Sequence, residues 1–348
     1  MNRDFFSGKT VLVMGLGRFG GGVDAAKFAA GSGARVIVTD LAPAEKLQCS
    51  IEQLKEFPGI ELHLGSHDRT DFEQADIIVV NPAVAPDNEF LKIGARLNKF
   101  ITSQIGIFFE LCPAQIIGVT GANGKSTTAA LTTHLLRGTR DERGEKRDDP
   151  ASSMTTPRQA EDRRQDTGDR RQGTGDKGQT TEGNPQDAHR RSIEKVWLSG
   201  NIGNEPLLTI LDQINSKDLV VLELSSFQIE QLAQIKKAPQ IAILTNLTPN
   251  HLDRYGTFYS YCSAKENIFK LQKPDDKYPA VSIFNAEDKI AAEWFEKYKK
   301  DAGRTCIKFS TADISEKIRD SFSLPGRANL SNLAAAIAVA RLLVLMTT

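Results

Sequence analysis

Twice in its 348 residues the chain runs from a short aliphatic stretch through a glycine-rich turn directly into a helix-forming segment. Residues 10–14 lead into Gly15-Leu16-Gly17-Arg18-Phe19-Gly20, and residues 115–119 lead through Thr120 into Gly121-Ala122-Asn123-Gly124-Lys125-Ser126-Thr127. A strand that turns this tightly into a helix is the building unit of a parallel sheet covered by helices. Further runs at 35–39 and 76–80 follow the first turn, and runs at 195–198, 219–222, 240–244 and 280–284 follow the second. Each is rich in Val, Ile or Leu and ends in turn residues, the pattern of strands buried on both faces. Residues 332–345 are apolar almost all round and read as a buried helix.

Hydrophobic residues make up 40% of the chain, enough for two cores, but they are not spread evenly. The 55 residues from 138 to 192 hold 12 basic and 12 acidic side chains, with Ala151, Met154, Ala160 and Ala188 the only apolar ones. A disordered insertion is expected there, because such a stretch cannot bury a core. The whole chain balances 44 Lys+Arg against 44 Asp+Glu, which is no footprint for nucleic acid or an anionic membrane. No apolar run approaches the roughly 18 to 20 residues of a membrane span, and no apolar signal core follows Met1. The expectation is a cytoplasmic monomer with no nucleic acid partner and no membrane insertion. Cys49, Cys112, Cys262 and Cys306 have neither disulfide nor zinc spacing and read as buried thiols.

At the first turn, Asp40 ends the second strand 20 residues past Gly20. This is the strand, turn, helix and acid spacing of a dinucleotide fold, in which glycines admit a pyrophosphate close to the backbone. NAD and a UDP-sugar both offer a pyrophosphate and a ribose, so the spacing does not choose between them.

The second turn is a variant phosphate loop, with Val119 where the general pattern has its first glycine. Loop amides cradle phosphates, Lys125 reaches the β/γ oxygens and Ser126 holds Mg²⁺, so ATP is the natural ligand. Glu223 ends the run 219–222, where a carboxylate can complete a Mg²⁺ shell. His251 and Asp253 fall in the loop after the next strand, at the same sheet edge, while His63, His67, His134 and His189 read as structural. Lys265 alone would be an ordinary helix lysine. The expected fold is therefore α/β, an N-terminal Rossmann-like parallel-sheet domain (1–103) followed by a P-loop ATPase α/β domain (104–348), joined near residues 101–113.

Taken together, residues 120–127, Ser199-Gly200-Asn201-Ile202-Gly203, residues 223–228 and 246–255, Lys265 and Asn285-Ala286-Glu287-Asp288 resemble the Mur ligase family. The resemblance covers both expected domains in order, outside the insertion. It implies an ADP-forming ligase in peptidoglycan synthesis that adds D-glutamate to UDP-N-acetylmuramoyl-L-alanine through an acyl phosphate. By resemblance, Lys125 contacts the transferring phosphate, Ser126 and Glu223 hold one Mg²⁺, and Glu223 and His251 hold a second. Lys265 matches a lysine that is carbamylated in the family and so becomes a metal ligand. Asn201, Ser225, Gln228 and His251 match positions near the muramoyl substrate. Gly121, Ala122, Asn123, Gly124, Lys125, Ser126 and Thr127 surround the ATP phosphates, and Asn329 and Asn332 the adenine. Gly15, Leu16, Gly17, Arg18 and Asp40 then hold UDP. The chain departs from the family pattern at Asn81-Pro82-Ala83, usually Ser-Pro-Gly, and in lacking a histidine just before Asn329. The family also has a third, C-terminal domain, none of which follows Thr348. The expectation is a ligase without that domain, the alternatives being a nucleotide- or UDP-sugar-binding pseudoenzyme or an NAD-dependent oxidoreductase.

Overall fold

The computed structural model describes residues 1–17, 20–141, 193–200, 206–274 and 279–347. The chain first alternates strands and helices, through β1 (Thr10–Met14), α1 (Gly21–Gly31), β2 (Arg35–Asp40), α2 (Gln48–Glu52), β3 (Glu61–Leu64), α3 (Arg69–Gln74), β4 (Ile77–Val80), α4 (Glu89–Arg96) and β5 (Phe100–Thr102). These strands form a parallel sheet in the order β3-β2-β1-β4-β5. After α5 (Gln104–Leu111) come β6 (Gln115–Thr120), α6 (Lys125–Asp141), β7 (Val196–Gly200), β8 (Leu219–Glu223), α7 (Ser226–Gln234) and β9 (Ile241–Leu244). The chain continues through α8 (Leu252–Tyr255), α9 (Phe258–Lys270), β10 (Ala280–Asn285), α10 (Lys289–Tyr298), β11 (Arg304–Phe309), α11 (Glu316–Ser321) and α12 (Arg327–Thr347). Its second sheet, again parallel, has the order β11-β10-β9-β6-β8-β7.

Successive residues of the central strands face opposite cores, because side chains alternate across a strand. Ile116, Val220 and Leu222 join the large cluster that runs through Phe108 on α5 to Val11 and Val13 of the first sheet. Ile117, Val119 and Val221 point the other way, onto Leu333 and Val339 of α12. Both faces being buried explains why these strands read as unbroken apolar runs. Three strands escape that pattern: β3, β5 and β11 lie at sheet edges and are half exposed. Helix starts are set locally, with Asp68, Asn88, Ser103, Thr257 and Asp288 each accepting a bond from a first-turn amide.

Three expectations need correction. Helix α6 continues through Gly138 to Asp141, past the expected start of the insertion, while residues 142–192 lie outside the described residues. Helix α12 contains an 18-residue stretch, Arg327–Val344, apolar enough by length and composition to cross a membrane. Its Leu333, Ala335 and Val339 are buried in the core behind the second sheet, as the reading of residues 332–345 had it. Of the four free cysteines only Cys262 is buried, and Cys49 is exposed because α2 is a short surface helix.

The two sheets are joined by buried polar contacts as well as by apolar packing. Asp24 on α1 is 2% exposed. Its carboxylate accepts bonds from the amides of Leu208 (2.8 Å) and Thr209 (3.1 Å), from Thr209 Oγ1 (2.8 Å) and from Gln104 Nε2. Burial pushes its pKa above the ordinary value in spite of these four donors.

Candidate active site

The phosphate-loop sequence emerges from the C-terminal end of β6, where a parallel sheet presents its functional loops. Gly121 and Gly124 have φ of +154° and +79°, and a Cβ on either would run into Thr245 or Asn332 respectively. The loop is braced by residues just past β9, the strand beside β6. The Ala122 amide donates to Asn246 O (2.9 Å) and the Asn123 amide to Asn246 Oδ1 (3.0 Å). Asn246 Nδ2 and Thr245 Oγ1 both donate to Asn123 O, at 2.9 and 2.7 Å. Neither Thr245 nor Asn246 stands out as a functional residue from the sequence alone. Their signal is positional, since a strand paired with β6 must deliver its first loop residues to the phosphate loop.

Glu223, the last residue of β8, stands opposite Val119 of β6 and is 4% exposed. Ser126 Oγ, in the first turn of α6, donates to Glu223 Oε2 at 2.6 Å. A hydroxyl and a carboxylate oxygen so placed are the hard donors that Mg²⁺ takes. Lys125 turns back onto the loop, donating to Ala122 O (3.0 Å), and burial lowers its pKa despite the opposing charge of Glu223. Lys265, on α9, is 2% exposed and donates to Thr120 Oγ1 (3.1 Å) at the base of the loop. Burial, then the charge of Lys125, pushes its pKa down to about 7. A large share of Lys265 is thus neutral amine at physiological pH.

The other residues expected here are distributed unevenly. Asn332 is buried against the loop, with Oδ1 accepting from Thr128 Oγ1 (3.3 Å), whereas Asn329 turns away and donates to Pro325 O (2.8 Å). His251 begins α8 in a left-handed conformation, φ 51°, with its ring 4.9 Å from that of Phe227 and 6.4 Å from that of Tyr261. Among the described residues no group of three or more His, Cys, Asp or Glu is gathered as a metal site. Ser225 and Gln228 form the capping box of α7: the Gln228 amide donates to Ser225 Oγ, and Gln228 Oε1 accepts from the Ser225 amide. Their spacing thus has a local structural cause beside any contact with a ligand.

A cavity of about 420 Å³ opens at the end of β1 between Gly15, Gly17, Asp40, Leu41, His67 and Asn81. Asp40 organises its rim, accepting from the amides of Gly17 (3.1 Å) and Ala42 (2.8 Å). Leu16, expected among the UDP contacts, is instead fully buried in the core, main chain included, and does not line the cavity. Close packing of α1 on the turn falls at Gly22, outside the expected motif, where a Cβ would strike the Gly15 and Leu16 carbonyls. Arg18 and Asn201 lie outside the described residues.

The chain matches two family models in order, "Mur ligase MurD-like, N-terminal domain" over residues 9–101 and "Mur ligase middle domain" over residues 201–340. It is 35% identical over 284 residues to the UDP-N-acetylmuramoylalanine–D-glutamate ligase of Roseiflexus sp. (strain RS-1), covering 82% of this chain and 48% of that protein. With the enzyme of the same name from Clostridioides difficile (strain 630) it shares 29% over 346 residues, covering 96% and 64%. The chain thus spans about half to two thirds of the length of these curated relatives. Among solved structures it resembles the UDP-N-acetylmuramate:L-alanyl-gamma-D-glutamyl-meso-diaminopimelate ligase of Neisseria meningitides, with a TM-score of 0.52, 15% identity and coverage of 96% and 93%. That likeness concerns the fold. With the first sheet and strands β8–β11 of the second matched by successive domains of one family, the chain belongs to the Mur ligase family.

Proposed function

We propose that this chain acts in an ADP-forming ligation of D-glutamate to UDP-N-acetylmuramoyl-L-alanine, with residues 1–103 binding UDP and residues 104–348 binding ATP. The observation that carries this reading is the Ser126–Glu223 pair, 2.6 Å apart at the mouth of a phosphate loop with two lysines beneath it. Transfer of the γ-phosphoryl group to the alanyl carboxylate releases ADP, and attack of the D-glutamate amine on the acyl phosphate releases phosphate and forms the amide. Both steps crowd anionic oxygens, so positioned cations are the main requirement. Lys125 supplies one once it swings from Ala122 O to the phosphates, and the amides of Gly124, Lys125 and Ser126 supply further donors, those of Ala122 and Asn123 being held by Asn246. Ser126, Glu223 and His251 would hold Mg²⁺, whose charge neutralises the phosphate oxygens when bound. Lys265 would join them after its neutral amine forms an N–C bond to carbon dioxide and gives up a proton to solvent, leaving a carboxylate-like carbamate.

The cavity at Gly15 and Asp40 takes the UDP portion, and Asn332 borders the adenine side of the ATP site. ADP release measured with ATP, Mg²⁺, UDP-N-acetylmuramoyl-L-alanine and D-glutamate tests the reading. Release that requires both acceptor and amino acid is expected. Absence of calorimetric binding of both ATP and the UDP-sugar would overturn it.

A further inference from the structure

Asp24 pins the two sheets on one side, and a second polar pin lies across the C-terminal edge of β4. There Arg254, on α8 of the second sheet, reaches across to the first, its Nη1 donating to Pro82 O (3.0 Å) and Ala83 O (3.4 Å). Its Nη2 pairs with Glu230 on α7 (3.3 Å), which also accepts from Tyr255 OH (3.1 Å). The guanidinium lies 4.1 Å from the centre of the Phe227 ring, the same ring that packs on His251. One helical turn further along α7, Gln231 Nε2 donates to Val80 O (3.0 Å). A cavity of about 340 Å³ separates α4 from α7 beside these contacts, so the grip on the loop after β4 is polar and local.

That loop is a wall of the Gly15–Asp40 cavity. Asn81 sits between the gripped carbonyls, donating through Nδ2 to Gly15 O (3.2 Å) and accepting at Oδ1 from the Ala83 amide (3.0 Å). Any shift of Pro82 and Ala83 therefore passes to Asn81 and to the first glycine turn. A planar fork that meets two carbonyls, a carboxylate and an aromatic face at once is a task for arginine and not for lysine.

We propose that Arg254 is a positioning residue: from the ATP-binding sheet it sets the shape of the UDP cavity. This rests on the reading of the Gly15–Asp40 cavity as the UDP site. None of the bonds that brace the phosphate loop involves Arg254, so the two nucleotides respond differently to its loss.

The test is calorimetry of the full chain with UDP and, separately, with ATP and Mg²⁺, for Arg254→Ala and Arg254→Lys. Arg254→Ala weakens UDP binding by about tenfold, the scale of one or two lost hydrogen bonds. ATP affinity stays within about twofold, as for an independent site. Arg254→Lys keeps the charge and the fold and shows a smaller loss in the same direction. Unchanged UDP affinity in both variants, or a parallel loss of ATP affinity, overturns the inference. If the unsubstituted chain binds ATP but not UDP, the UDP reading itself fails and the inference with it.

Discussion

Replacement of Asp24 by alanine is expected to destabilise the chain by about 2 to 4 kcal/mol. The carboxylate accepts four bonds, and their fates differ. The Leu208 amide is buried and would be left without a partner, at about 1 to 3 kcal/mol, while each bond from Thr209 or Gln104, which water can reach, is worth about 0.5 to 1.5 kcal/mol. Removing a desolvated charge offsets part of that sum, which gives the net figure. Chemical denaturation of the full chain measures it, and a difference below about 0.5 kcal/mol, the size of an ordinary surface substitution, would refute the reasoning. The pH dependence gives a second check. Burial raises Asp24 above its ordinary value of 3.8, so the folded state holds that proton more tightly than the unfolded chain. The resulting stabilisation is complete below 3.8 and is lost as pH rises through the raised folded value. The advantage of the native chain over Asp24→Asn should therefore shrink as pH rises across that window, and an advantage that grows would contradict the assigned cause.

Lys125→Ala should abolish detectable ATP binding while leaving the thermal transition in place; retained ATP affinity in calorimetry would remove Lys125 from the phosphate site. For Lys265, whose pKa is about 7 in the fold against an ordinary 10.5, the cost of burying the charge is full below pH 7 and declines as pH rises toward 10.5. Lys265→Met should thus be more stable than the native chain at pH 6, by a margin that narrows at pH 9, and a margin independent of pH would show that the lysine is not desolvated. ¹³C-labelled bicarbonate should give a carbamate resonance in the native chain that is absent from that variant. Gly124→Ala places a Cβ at φ +79° and against Asn332, costing at least about 1 to 2 kcal/mol from backbone strain alone. An unchanged denaturation midpoint there would mean that the loop relaxes freely.

Much of the fold is legible in the sequence because it is set by neighbours in the chain. The doubly buried strands β1, β4, β6, β8 and β9 read as aliphatic runs. The edge strands β3, β5 and β11 do not, since half of each faces water and their patterns are mixed. Helix α12 satisfied a membrane-span criterion in isolation and owes its apolar surface to packing behind the second sheet. In the site, Ser126 and Glu223 could be singled out, one within the phosphate-loop pattern and one as a carboxylate at a strand end. Thr245 and Asn246 could not, because their role depends on β9 lying beside β6.

The amino-acid sequence by itself determined the two glycine turns, the helix caps and the apolar runs. All of these follow from backbone sterics and hydrophobic period within about ten residues. Only the tertiary structure decided that Asp24 meets the Leu208 amide across 184 residues, Arg254 the Pro82 carbonyl across 172 and Thr128 the Asn332 side chain across 204. Strand order brings such groups together, and strand order is a property of how two sheets bury their faces against shared helices, which no local segment encodes.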